Sequence, residues 1–227
     1  MARLERPTQK SENPTKRFLK WKSNDKCFSY YDKENAKNVD VALPFKFLFL
    51  EHYHTVKGWN DASESSIYSN EVYAIGSTEL TVKAFKGSSP IAVGLYKENK
   101  TKIVEAGGKY HRSIYVMNED GEIINISLKG AAVRSYSDFY SDNNQLLDNQ
   151  WIEVNDATDG KKGSIKYSTP NFTIGGAIGK DANALADTAV SSLQNYMDVY
   201  TGKTVVKDEI TEDQVAVEVE DNDEIPF

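Results

Sequence analysis

The sequence predicts a mainly β body with helical decorations, an α+β fold that ends in an acidic tail. Three observations predict it. Short runs of alternating apolar and polar residues recur between Phe18 and Tyr167. A few longer stretches instead carry helical spacing of apolar residues. Residues 208–227 hold nine Asp or Glu and no Lys or Arg. That stretch has too little apolar surface to fold alone and too much like charge to collapse. The expected organisation is a flexible basic arm (1–17), a body (18–205) and an acidic tail (206–227).

Phe18-Leu-Lys-Trp-Lys22 and Lys26-Cys-Phe-Ser-Tyr-Tyr31 alternate and read as strands joined by an Asn24-Asp25 turn. In the first, Phe18, Lys20 and Lys22 share one face and Leu19 and Trp21 the other. Val39 to Tyr53 reads as one long strand, with Phe45, Phe47 and Phe49 as a core stripe and Leu48 and Leu50 opposite. Pro44 within it marks an edge or a bulge. Residues 61–70 are polar and read as a loop, and Glu71–Ile75 and Glu79–Phe85 as strands. Tyr110–Met117 and Glu122–Leu128 form the clearest hairpin, turning through Asn118-Glu-Asp-Gly121. Trp151–Val154 and Ser164–Tyr167 are two further strands, separated by a loop from Asn155 to Gly163.

Three stretches read as helices. Ser88-Ser-Pro90 supplies a cap and an early proline for a helix over Ile91–Ala106, closed by Gly107-Gly108. Residues 131–149 place Val133, Tyr136, Phe139 or Tyr140, and Leu146-Leu147 at helical spacing. Ala182–Thr201, capped by Asp181 and closed by Gly202, gathers Leu185, Ala189 or Val190, Leu193, Tyr196 and Met197 on one face. The glycines of Thr173–Gly179 lack the GxxxxGK[ST] phosphate-loop pattern and read as a linker.

Charge is polarised. The chain of 227 residues carries a net charge of −7, but residues 1–207 hold 27 basic against 25 acidic residues. Residues 1–60 hold 12 Lys or Arg against 7 acids, together with ten of the 25 aromatics. A single cysteine, Cys27, allows no internal disulfide and fits a cytoplasmic protein. The polar, basic start lacks the apolar run of a secretory signal. The longest apolar run, Val41–Leu50, is too short to span a membrane and is interrupted by Lys46. His52 and His54 share a strand face, but one Cys and three His do not supply a zinc site, so no metal and no cofactor is expected.

The final residues, Asp221-Asn222-Asp223-Glu224-Ile225-Pro226-Phe227, place an apolar end on an acidic run. A partner pocket can take the ring and basic residues the carboxylates. This tip resembles that of bacterial and phage single-stranded DNA-binding proteins, where acids followed by Ile-Pro-Phe recruit replication and recombination enzymes. The long body and short acidic linker look more like a phage-type member. The resemblance implies an OB-like barrel and binding of single-stranded DNA without sequence readout. It also implies capture of partner proteins by Asp221, Asp223, Glu224, Ile225, Pro226 and Phe227. Monomer and homodimer both remain open.

Rings interleaved with lysines on strands suit a single strand, because bases stack on the rings and lysines neutralise phosphates. The candidate contacts are Lys16, Arg17, Lys20, Trp21, Lys22, Tyr30, Tyr31, Tyr53, Lys57, Trp59, Lys109, Tyr110 and Arg112. No nucleophile elbow, zinc pattern or Walker loop is present, so no catalytic residue is expected and the protein reads as a non-enzyme. Two alternatives stand beside this reading. One is a β-rich phage structural or assembly protein. The other is a metal-dependent nuclease assembled from distant carboxylates.

Overall fold

The structure, a computed structural model, describes residues 12–200. The residues expected to form the basic arm before Glu12, and the acidic tail with its tip from Asp221 to Phe227, lie outside them. In chain order the elements begin with β1 (Thr15–Lys22), β2 (Cys27–Asp32), β3 (Lys37–Val41), β4 (Phe45–Asn60) and β5 (Ser65–Ser69). There follow β6 (Leu80–Lys83), β7 (Ala92–Gly94), α1 (Tyr96–Glu105), β8 (Gly108–Met117) and β9 (Ile123–Lys129). The last are α2 (Ala131–Asn143), β10 (Gln150–Lys162), β11 (Ile165–Ala177) and α3 (Lys180–Tyr200). The fold is mainly β with three helices among the described residues, as the alternation predicts.

Strand β4 organises the sheet. Its 16 residues make it roughly 50 Å long. One edge of β4 pairs with β8 from Leu48 to Gly58. The other edge is shared, with Phe45–Phe47 taken by β10 and Lys57–Asn60 by β5. The strand order is β3-β2-β1-β9-β8-β4-β5-β6-β7, with β10 and then β11 branching from the start of β4. All pairs are antiparallel except β1 with β9.

Three cores hold these layers. The inner face of β1, β2, β4, β8, β9, β10 and β11 buries Leu19, Trp21, Phe28, Phe47, Ile126 and Val154 against Val133, Tyr136 and Phe139 of α2. On the opposite, outer face, Leu48, Tyr115, Met117 and Ile123 are covered by Ala189, Leu193, Tyr196 and Met197 of α3. The far end of β4, with β5 to β7 and α1, has its own core of Val56, Ile67, Leu80, Val82 and Ile103.

No main-chain ladder joins β1 to β11 among the described residues, so the sheet is open. Side chains bridge the gap. Trp21 Nε1 donates to the Ser168 carbonyl at 2.9 Å, and Ser168 N–H donates to Ser23 Oγ at 2.6 Å. Trp21 is therefore a core ring, 8% exposed, and not the stacking surface expected of it.

Several expected boundaries move. Val39–Tyr53 divides into β3 and β4 around Pro44, which has no N–H to offer a ladder. Residues 61–70 are not all loop: Ser65–Ser69 pair with β4 and bury Ile67. Glu71–Ile75 is not a strand and contributes one bridge, Val72 to His54. Ala92–Gly94 is a strand, so α1 starts at Tyr96, with Leu95 at its N-cap and no side-chain cap. Helix α2 ends at Asn143, short of Leu146-Leu147. The loop expected over Asn155–Gly163 is mostly strand, because β10 and β11 pair as far as Lys162 and Ile165. Gly160 within that arm lets the Tyr167 ring lie against its backbone, where a Cβ would stand 2.3 Å from the ring. Thr173–Ala177, expected as linker, completes β11. Helix α3 begins one residue before Asp181, and Leu185, expected in its apolar face, is 49% exposed. The arm boundary also shifts, since Thr15–Arg17 belong to β1.

Replacing Trp21 by Phe keeps a ring in the core but leaves the Ser168 carbonyl without its indole donor. The Ser23 hydroxyl still donates to that carbonyl at 3.2 Å, so the expected loss in urea unfolding is that of one hydrogen bond, about 0.5–1.5 kcal/mol.

Candidate nucleic-acid interface

Residues directly opposite across a ladder share a face, so the registers lay out the outer surface row by row. One row runs Lys83 (β6), Tyr68 (β5), Lys57 (β4), Lys109 (β8). The next holds Thr55, His111 and Lys129. A third runs Tyr53, Ser113, Ser127, Lys20, Ser29, Asp40. Alternation along β1 and β4 adds Phe18, Lys22 and Trp59 to this face, and Tyr31 opposite Asn38 extends it onto β2. The face is a strip of half-buried lysines and rings, bounded at one end by α3.

The electrostatics of the strip are unfavourable by themselves. Lys57 and Lys109 are directly opposed, and like charges at that spacing destabilise a sheet. Burial depresses the Lys57 ammonium, an effect the Glu71 carboxylate partly offsets. Burial, followed by the charges of Lys57, Lys129 and Lys109, pushes His111 well below the usual imidazole range. Its neutral ring lies 3.0 Å from Ser127 Oγ through Nδ1. Asp25 and then Asp40 hold the Lys22 ammonium and raise its pKa.

The structure divides the expected contact residues. Lys20, Lys22, Tyr31, Lys57, Trp59 and Lys109 come together on the outer face. Lys16 is exposed at the bulge where the β1–β9 register shifts. Tyr53 lies on the outer face but packs under α3, edge-on to Tyr115 at 5.9 Å, so its ring is committed to that seam. Trp21, Tyr30, Tyr110 and Arg112 do not join the strip. Tyr30 packs against the inner core beneath Arg17, whose guanidinium lies 5.5 Å from the ring and pairs with Glu122 at 3.1 Å. The contacts expected from the sequence draw on both faces of β1, β2 and β8. Phe18, Tyr68, Lys83, His111 and Lys129 are the strip residues that sequence reasoning did not select. Phe18 carried a usable signal, since it shares a strand face with Lys20 and Lys22.

The inner face of β8 holds a polar cluster. Arg112 can only donate, so its Nη1 gives a hydrogen to His54 Nε2 at 2.7 Å. The neutral His54 ring then carries its proton on Nδ1 and donates it to the Tyr110 hydroxyl at 2.6 Å. His52 Nδ1 bonds the Tyr136 hydroxyl at 2.8 Å. Burial first, then the Arg112 charge, lowers both His52 and His54 to about 4. The histidine pair expected to be satisfied rather than metal-binding is held this way. Among the described residues no three His, Cys, Asp or Glu gather as a metal-ligand group, and no helix is long and apolar enough to cross a membrane.

Comparison with protein-family models, with curated proteins and with solved structures returns no match.

Two outcomes follow from these charges. Lys109→Gln removes the like-charge opposition and should raise stability by about 0.2–1 kcal/mol in urea unfolding. The histidines set a pH dependence. An imidazole at about 4 in the fold and 6.5 in the unfolded chain takes up a proton on unfolding between those values. Stability should be level above pH 6.5 and fall as pH drops towards 4. The decline between pH 6.5 and 5, above the ordinary carboxylate range, should shrink in His54→Gln.

Proposed function

We propose that this protein binds single-stranded DNA without reading its sequence, on the outer face of β1, β8, β9 and β4. The observation that carries the reading is the register-aligned strip of Lys20, Lys57, Lys83, Lys109 and Lys129 with Phe18, Tyr31, Trp59 and Tyr68 among them. Lys57 and Lys109, placed against each other, lose stability alone and regain it against phosphates. Of these rings Tyr31 is exposed and the others half-buried, and each base stacked on one is worth about 1–3 kcal/mol whatever the sequence.

The arrangement of the core supports the same reading. Strands β4, β8, β9, β10 and β11 wrap around α2, with β4 paired to both β8 and β10. The sheet is open, and an OB-like reading is supported by this strand order, with β1 beside β9 and bridged to β11 by side chains. In OB folds the face of the second and third strands and the hairpin loop between the last two bind oligonucleotides. Here those positions carry Lys109, His111, Ser127 and Lys129 on the strands and Lys161, Lys162 and Lys166 around the β10–β11 turn.

The proposal extends to the acidic sequence that closes on Ile225-Pro226-Phe227, which resembles a recruitment tip for replication and recombination enzymes. The body then holds the strand in the cytoplasm of the host cell while the tail captures the enzymes that act on it.

Titration with oligo(dT), followed by tryptophan fluorescence at several salt concentrations, tests the reading. Quenching should weaken steeply with salt and be largely lost in Trp59→Phe, since Trp21 is enclosed in the core and Trp151 packs against the α3 seam with Lys46 over its ring, away from the strip. Each lysine replaced by Gln in the strip should lower the slope of log K against log salt by about 0.7. Absence of binding at low salt by folded protein overturns the proposal.

A further inference from the structure

Between β4 and β8 the chain inserts residues 61–107, and this insertion is a sheet extension rather than a loop. Strands β5, β6 and β7 continue the ladder from the end of β4. A separate core of Val56, Ile67, Leu80, Val82, Ala92 and Ile103 stiffens it from the inner side. The junction with the main sheet is close. Gly58 faces Gly107-Gly108, and a Cβ at Gly58 would lie 2.2 Å from the Gly107 carbonyl oxygen. The extension therefore has little freedom to move against β4 and β8.

Its outer face carries the same chemistry as the main strip. Tyr68 stands opposite Lys57, and Lys83 opposite Tyr68, so cation, ring, cation and cation follow in line from β6 to β8. Phe85, in the bend that follows β6, is 51% exposed. An extension needed only to cover Val56 and Ile103 would require the inner face alone.

We infer that the insertion lengthens the binding face, so that one protein holds more nucleotides than its five-stranded core can contact. The inference rests on the single-stranded DNA reading above and assigns Tyr68 and Lys83 as the contacts that set the length of the path. Two strand spacings beyond β4 add about 10 Å. At the ~3.4 Å spacing of a stacked strand this is room for about three nucleotides. Tyr68 stacks a base and Lys83 meets the phosphate that follows it.

The test is the occluded site size on poly(dT), measured by stoichiometric titration at low salt with the full chain. Tyr68→Ser/Lys83→Gln should occupy two or three fewer nucleotides per protein than the wild type. Its slope of log K against log salt should fall by about 0.7. Lys83→Gln alone leaves every core residue in place and should lower the slope by the same amount, so the test stands if the double variant is unstable. Wild-type site size and slope in both variants would overturn the extension while leaving DNA binding intact. Failure of the wild type itself to bind poly(dT) would overturn both readings, and the two failures are thus distinguishable.

Discussion

One continuous strand holds this molecule together. Strand β4 carries the ladder of β8 along one edge and divides the other between β10 and β5. A strand in that position must present three surfaces at once. Its start gives Phe47 to the α2 core and Leu48 to the α3 seam, and its end gives Val56 to the core of the insertion. The register shift between Phe49 and Glu51 re-aims the strand between these tasks. Any slip by one residue would exchange core and solvent faces along its whole length.

The same constraint produces the outer strip. Once β4 is fixed, Thr55, Lys57 and Trp59 must point away from Val56 and Gly58. The antiparallel register with β8 then sets Lys109 beside Lys57 and His111 beside Thr55. A sheet selected only for stability would not oppose two lysines and place an imidazole against three ammonium groups. The cost stays local because the apolar part of the outer face, Leu48, Tyr115, Met117 and Ile123, sits apart under α3, and Val56 beside the lysines points to the inner face. That separation of a stabilising inner face from a charged outer face is what an open sheet with α2 on one side permits.

Polar groups inside the sheet are mostly paired. Arg112 Nη1 donates to His54 and His54 to Tyr110, while the buried Arg112 Nε has no partner among the described residues, and His52 bonds Tyr136 on α2. Tyr115 donates to Glu71 at 2.7 Å beneath the outer seam. The Trp21 and Ser23 contacts with Ser168 do for the open edge what a ladder would do in a closed barrel. These bonds tie β1 to β11 across 147 residues of sequence for the Trp21 pair, a proximity no local pattern announces.

The sequence by itself determined the class of the fold, the β8–β9 hairpin, the α2 and α3 faces through Tyr136, Phe139, Leu193 and Met197, and the sidedness of β1. These depend on local periodicity, which the residues carry whatever their partners. It also determined the charge polarity, and the resemblance of the tip. Only the tertiary structure decided which rings are free. Trp21 and Tyr31 look alike in sequence, but β1 presses the first against Phe28 at 5.1 Å, while β2 leaves the second 43% exposed. Likewise, Tyr68 and Lys83 belong to the strip only because β5 and β6 extend the β4 ladder. Pairing register is a long-range property, set by which strands meet, and a single strand's sequence does not contain it.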